Sequence, residues 1–470
     1  MDSVDGVLRL TSDYASQFLG TLSTRPVHAP ATLDELRSSL GGPLPEHGSD
    51  AEQVLAQLIA AAEPGVVAMT GGRYFGFVIG GSLPAALAAD WVTSTWDQNA
   101  GLVAGGPSAA VVEEVCLGWL RELLGLPGDA SAGFVTGCQM AHVTALAAAR
   151  HHVLAQAGWD LLQEGLQGAP RIRVLAGDER HVTIDRALRY LGIGTAQIET
   201  IPADGQGRME VTPLREALGA GGGPTIVCAQ AGNVNTGSFD PLDEIADAVE
   251  GTAAWLHVDG AFGLWAAASP RFRHLVAGSE RADSWATDGH KWLNVPYDSG
   301  IAFCAHPESH SAAMSVRASY LEQVDADAAR DQMDWNPEFS RRARGFPIYA
   351  AIRSLGREGI ADLVERCCDH AARFADLLGA EPDVEILNDV VLNQVLVRFA
   401  DDDAVTQATV KAVQDEGTCW LSGTTWQGRA AMRISVSNWQ TSVEDVERSA
   451  AAILDAAAAV QPTRSAAVPD

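Results

Sequence analysis

The sequence predicts an α/β protein organised around a mainly parallel sheet, and three observations carry that prediction. Between about 133 and 305, short β-branched or apolar runs alternate with helical stretches, the pattern of strands covered by helices on both faces. The chain has 470 residues, 47% of them hydrophobic, ample for a large core. Beyond about 310 the texture changes, and a second set of strand and helix runs suggests a smaller α/β lobe. The expected organisation is a helical N-terminal segment (1–82), a large domain (83–312), a connecting loop with a small C-terminal domain (313–460), and a disordered tail (461–470).

Taken in order, residues 1–70 read as helices joined by Pro/Gly-rich connectors. Ser49-Asp50 caps a helix whose Val54, Leu55, Leu58 and Ile59 form a stripe at helical spacing. A helical segment this far from a core docks on something, a second subunit included. Arg73–Ile79 is a short aromatic run ending in Gly80-Gly81, and a helix follows to about Trp96. Pro107 suits the first turn of another helix, which stops near Gly125. Strands are expected at 133–136, 172–176, 225–229, 254–258, 284–287 and 300–304, with helices at 138–157, 182–191, 211–218 and 240–250. Residues 315–345 are polar and read as an exposed or mobile connection. After them come a helix at 360–379, strands at 384–387, 394–399, 419–421 and 432–436, and helices at 403–416 and 442–459.

Composition excludes some functions. A formal charge of −28, from 32 basic and 60 acidic residues, argues against a nucleic-acid backbone or an anionic membrane as partner. No charge-free apolar run reaches membrane-spanning length, and the N-terminus lacks a signal pattern. The 7 cysteines are odd in number, form no C-x-x-C, and lie mostly in apolar runs. They read as free thiols in a reducing compartment, so a cytoplasmic location is expected, with no metal site.

In open parallel sheets, ligands sit at the carboxyl ends of the strands. Four stretches fall there. Thr136–His142 follows a strand and opens a helix, where free N–H groups and Gly137 make an anion site. Gly177–His181 follows another strand, and His181 is either a ring-stacking or proton-handling group or a simple turn residue. Trp255–Asp259 ends in a carboxylate that burial makes costly unless it is paired. Its partner is a helix N-terminus, an arginine or, more sharply, a protonated pyridine nitrogen. Asp288-Gly-His-Lys-Trp-Leu293 sets Lys291 between an imidazole and two bulky apolar residues. An amine desolvated there, beside a second proton-binding group, can lose its proton near neutral pH and form a Schiff base with a carbonyl cofactor. One strand–helix–strand step fits between Asp259 and Lys291, so both can end neighbouring strands. Carboxylate for pyridinium and lysine for aldehyde is the pairing that pyridoxal phosphate needs.

These four stretches, in this order, resemble the group II pyridoxal-phosphate-dependent amino-acid decarboxylases, which include aromatic-amino-acid, glutamate and histidine decarboxylases. The similarity runs from about Tyr74 to Trp439, with further support from Gly237–Leu242 and Met432–Asn438. The resemblance implies fold type I, with 83–312 as the cofactor domain, pyridoxal 5'-phosphate as cofactor, a small amino-acid substrate and a homodimer. Carried over residue by residue, it implies that Lys291 bonds the cofactor aldehyde, Asp259 keeps the pyridine nitrogen protonated, and His181 stacks on the ring. Gly137, Cys138 and Gln139 would hold the phosphate, helped by Asp288 or His290, and Arg433 matches an arginine that in glutamate decarboxylases helps bind a substrate carboxylate.

Departures from the family matter too. Gly232-Asn233-Val234 stands where relatives often read Gly-Thr-Thr, so Asn233 or Asn235 would replace a threonine hydroxyl. The phosphate turn has Cys138-Gln139 where serine is common. The family's mobile loop often carries a proton-donating tyrosine; here Gln332 stands in the matching stretch and Tyr320 lies upstream. Phe77, Trp96 and Leu102 either line an apolar substrate pocket or serve as packing. The leading expectation is decarboxylation of an aromatic or apolar L-amino acid to the amine and CO2. An oxidative, aldehyde-forming decarboxylase, or an aminotransferase or other lyase, is the alternative motivated by the loop. A non-catalytic scaffold would have no use for Lys291, Asp259 and His181 together.

Overall fold

The computed structural model describes residues 4–315 and 330–460. Seven strands form the main sheet: β1 (Ser131–Val135), β2 (Arg173–Gly177), β3 (Ile198–Ile201), β4 (Thr225–Gln230), β5 (Ala254–Asp259), β6 (Ser284–Asp288) and β7 (Gly300–Cys304). Their spatial order is β1-β7-β6-β5-β4-β2-β3. The pairs β6–β5, β5–β4, β4–β2 and β2–β3 are parallel, whereas β7 runs antiparallel to both neighbours. β1, β4, β6 and β7 are buried at every residue, as strands covered on both faces must be.

A second, fully antiparallel sheet has the order β10-β11-β9-β8, from β8 (Val384–Ile386), β9 (Gln394–Phe399), β10 (Ser422–Trp426) and β11 (Arg429–Ser435). The helix Gly345–Gly379 packs against it and against the helix Pro84–Trp96, and breaks its geometry at Gly356 (φ 63°).

The local signals worked where chain chemistry is explicit. Asp50 caps the helix Ala51–Ala62 by accepting from the Gln53 N–H. Pro107 opens the helix Pro107–Leu124, and Gly125 closes it in the left-handed region (φ 67°).

Four expectations need correction. β3 was not anticipated: Ile-Glu-Thr-Ile is a short edge strand with two exposed residues, and its apolar run is too brief to stand out. The connection from β5 to β6 is three 3₁₀ turns (Gly263–Ala268, Arg273–Val276, Ser279–Arg281) rather than an α-helix. The strand expected at 419–421 lies later, at β10, while Trp420 bridges Tyr74 and stacks on it at 5.1 Å. Residues 330–343 are no loose connection. Arg341 is buried, pairs with Glu113 at 2.8 Å, and donates to the carbonyls of Ala100 and Phe134. The remainder of that expected connection, 316–329, lies outside the described residues, as does the tail at 461–470.

Candidate active site

The parallel strands deliver their carboxyl ends to one place. The helix Cys138–Gln156 starts there on Gly137, which offers no side-chain cap. Glycine is required at Gly300, and little room is left for a side chain at Gly137. A Cβ on Gly300 would lie 2.4 Å from the Gly137 backbone, and one on Gly137 would meet the His290 ring at 3.1 Å. The aromatic run at 74–81 is laid along the lysine turn: Gly80 N–H donates to His290 O, and Gly81 N–H donates to Asn294 Oδ1.

Asp288, the last residue of β6, is buried and organises the turn. Its Oδ1 accepts the Cys138 N–H at 2.6 Å, and its Oδ2 pairs with Lys291 Nζ at 3.1 Å. As placed, Asp288 takes the first N–H of the helix and offers only acceptor oxygens. Contrary to expectation, Lys291 is not a depressed amine: burial pulls it down, but Asp288 and Asp259 hold it above its ordinary value. His290 is lowered, chiefly by burial. Its Nδ1 accepts the Ser299 N–H at 3.1 Å, which puts the proton on Nε2, beside Gly137 and 3.5 Å from Asp288 Oδ1.

Asp259 ends β5 and is buried. Its Oδ1 accepts the Ala261 N–H at 3.1 Å and is 3.9 Å from Cys138 Sγ, while its Oδ2 faces His142 Nε2 at 3.5 Å. Burial alone raises this carboxyl, yet His142, His181 and Lys291 together hold it well below the ordinary carboxylate range. His181 caps the helix Val182–Tyr190 by accepting the Thr183 N–H on Nδ1. Burial lowers it, against the pull of Asp259, so it is neutral at pH 7 with its proton on Nε2.

Other expected residues lie at varied distances from this cluster. Gln139 donates to Thr183 O, and its Oε1 is buried without a partner. Asn233 is committed to the chain: Nδ2 donates to Glu179 O, and Oδ1 accepts from the N–H groups of Asn235 and Thr236. Arg433 Nη1 donates to Asn235 Oδ1 at 3.2 Å, and burial pulls its guanidinium down to about 10. Phe77 is half-exposed, tilts against Trp420 at 5.6 Å, and accepts from Ser435 Oγ through its carbonyl. Trp96 is half-exposed and packs edge-on against Phe346, and Leu102 is part-buried. Among the described residues no hydrogen bond or ring contact ties Trp96 or Leu102 to Lys291 or Asp259. Gln332 is buried and accepts from Arg330 through Oε1. Tyr320 lies outside the described residues.

The pyridoxal-dependent decarboxylase conserved domain matches residues 34–400. The chain belongs to that family. It is 27% identical to an aromatic-L-amino-acid decarboxylase of Bacillus atrophaeus, over 92% of this chain and 91% of the relative. It is 25% identical to a 4-hydroxyphenylacetaldehyde synthase of Rhodiola rosea, over 88% and 87%. A crystal structure of Oryza sativa TDC with PLP and tryptamine superposes with a TM-score of 0.90 at 24% identity, over 97% of this chain and 98% of that one. This decarboxylase family works with pyridoxal phosphate, and its members are carboxy-lyases.

Two features escaped the sequence reading. The chain contains just two lysines. Lys411 lies exposed on the helix Asp403–Glu416, paired with Asp415, so Lys291 is the single buried amine. A census of residue types would have found this. The second is the pair His142–His257, joined at 2.9 Å behind Asp259. Alternation along β5 signals it, since Trp255, His257 and Asp259 share one face.

Proposed function

We propose that the chain decarboxylates an L-amino acid with an aromatic or apolar side chain, with Lys291 as the amine that carries the cofactor. One observation supports this most: the Lys291 amine, three residues past the end of β6, and the ionised Asp259 at the end of the adjacent β5 lie beside the start of the helix Cys138–Gln156. That donor set fits the group, with an amine for an aldehyde, a carboxylate for a pyridinium, and N–H donors for a phosphate. Pyridoxal phosphate, when bound, supplies an aldehyde that takes the substrate amine and a cationic ring that accepts the electron pair left when CO2 departs.

The protein does the rest. The ammonium of Lys291 must shed a proton to attack, and Asp288 Oδ2 is the acceptor beside it. Asp259, ionised and buried, would keep a positive ring nitrogen from losing its proton. His290 Nε2–H and the main chain at Gly137 and Gln139 would hold the phosphate, while Asp288 keeps the Cys138 N–H and shapes the turn. His181 would stack on the ring, and its Nε2–H would return a proton to the substrate carbon. Arg433, steadied by Asn235, takes the substrate carboxylate. Phe77 forms an apolar wall; Phe77→Ser raises KM for aromatic amino acids about tenfold while moving kcat little.

A panel of amino acids scored for CO2, amine, aldehyde and peroxide tests the reading. Equimolar amine and CO2 from an aromatic substrate are expected; turnover of acidic amino acids alone contradicts the substrate class. Oxidative decarboxylation is the second reading, favoured by the burial of Gln332 and the likeness to the Rhodiola rosea synthase. It requires aldehyde, ammonia and peroxide in the same assay.

We also infer a homodimer in a reducing compartment such as the cytoplasm. The helices Val4–Gly20, Leu33–Leu40 and Ala51–Ala62 bury no residue, and they expose Val4, Leu8, Leu33, Val54 and Leu58. A second copy would cover these side chains. All 7 cysteines are buried and free. No helix among the described residues is long and apolar enough to cross a membrane. Light scattering of the full chain checks the dimer: a dimer mass is expected, and a monomer at assay concentration contradicts it.

A further inference from the structure

We propose that His142 is a positioning residue: its Nε2–H holds the Asp259 carboxylate, and a buried chain from Trp255 through Ser284 and His257 fixes that proton on Nε2. The inference rests on the reading of Asp259 as the partner of the cofactor's ring nitrogen.

The chain follows from strand geometry. Trp255, His257 and Asp259 alternate onto one face of β5, and Ser284 stands directly opposite His257 on β6. His142 lies one turn into the helix Cys138–Gln156, which covers that face. The contacts run in line: Trp255 Nε1 to Ser284 Oγ at 2.8 Å, Ser284 Oγ to His257 Nδ1 at 2.9 Å, and His257 Nε2 to His142 Nδ1 at 2.9 Å. From there His142 Nε2 faces Asp259 Oδ2 at 3.5 Å and Cys138 Sγ at 3.4 Å.

An indole N–H can only donate, so of the two contacts of Ser284 Oγ only His257 Nδ1 can take the hydroxyl hydrogen, which sets the direction. Ser284 Oγ accepts from Trp255 and passes its own hydrogen to His257 Nδ1. His257 then donates from Nε2 to His142 Nδ1, and His142 is left with its hydrogen on Nε2, aimed at Asp259. Every polar atom in the line is satisfied, and each lies in a region where an unsatisfied one is costly. His257 cannot supply a charge instead, because burial pushes it down to about 3. No catalytic step above uses His142 or His257, yet both are fully buried and paired.

The other groups facing Asp259 do not replace His142. Lys291 is tied to Asp288, and His181 is neutral. The Cys138 and Cys228 thiols are pushed up by burial and stay protonated, and Asp240 adds a carboxyl rather than a donor.

The test is cofactor binding and spectroscopy on the holoenzyme. His142→Leu should weaken pyridoxal phosphate about tenfold, the scale of a hydrogen bond to a charged group. It should also move the acid-side loss of the cofactor's visible band up by about one pH unit, because a less supported Asp259 takes a proton sooner. His142→Gln restores a donor and should recover most of both effects. Ser284→Ala breaks the chain away from Asp259 and should shift the acid limb in the same direction by less; it serves also if His142→Leu fails to fold. Parental affinity and an unmoved acid limb in His142→Leu, or in Ser284→Ala where the leucine variant does not fold, overturn the proposal. So does His142→Gln behaving like the leucine variant. Asp259→Asn separates the two readings. If it binds cofactor as the parent does, the role of Asp259 fails; if it alone binds weakly, only the role of His142 fails.

Discussion

Two buried carboxylates at the same end of the main sheet behave in opposite ways. Asp259 lies among His142, His181 and Lys291 and is held well below the usual range. Asp240 lies on the loop after β4, where its two oxygens each accept one main-chain N–H at 2.7 Å, from Met209 and from Gln230. Burial nevertheless pushes Asp240 up to about 7, with Asp204 and Asp259 adding to the rise. Both are nearly inaccessible, so burial is not what separates them. The difference is the partner set. Main-chain donors alone satisfy Asp240 and pin the β4 loop; the Lys291 charge, with two imidazoles, keeps Asp259 ionised, ready for a cationic ring.

The largest expected effect removes a basic partner of Asp259. Lys291→Ala should abolish the visible band of the lysine-bound cofactor and cut kcat by more than about a thousandfold. A retained band would remove Lys291 from its role. Asp259→Asn keeps the shape and deletes the charge; kcat should fall by about 10²–10³, the scale of losing one preorganised electrostatic group. Asp240→Asn should leave the cofactor spectrum unchanged and cost about 1–3 kcal/mol of stability, since an amide nitrogen then faces a main-chain N–H. A spectral change there would erase the contrast between the two carboxylates.

The pH dependence sharpens the contrast further. Asp259 has a depressed folded value, so its contribution is present above the unfolded carboxyl range and is lost as pH falls through the folded value. Asp240 has a raised one, so its contribution is present below about pH 4 and is lost as pH rises through about 7. Thermal melts from pH 4 to 7 should show that Asp240→Asn removes a downward slope in stability. An unchanged slope would contradict the raised value.

The sequence showed the ends of β1, β2, β5 and β6 well, because each is an apolar run stopped by Gly, Asp or His. It showed the helices where the start is chemical: Asp50 and Pro107. It did not show β3, whose four residues are half exposed, nor the 3₁₀ turns after β5, whose Leu264, Trp265 and Ala266 look helical in composition. Within the site, residue types were legible and their electrostatics were not. Lys291 next to Trp292 reads as desolvated, but the sequence cannot show that Asp288 folds back to within 3.1 Å of it. His142 looks like any histidine in an Ala-rich helix until β5 places His257 behind it.

The central claim is that Lys291, and no other amine side chain, carries the cofactor. The chain's two lysines make the test clean. Borohydride reduction of the holoenzyme, followed by peptide mass mapping, should place a phosphopyridoxyl group on the peptide containing Lys291 and leave Lys411 unmodified. Label on Lys411, or none on Lys291 in protein that retains its visible band, would contradict the account.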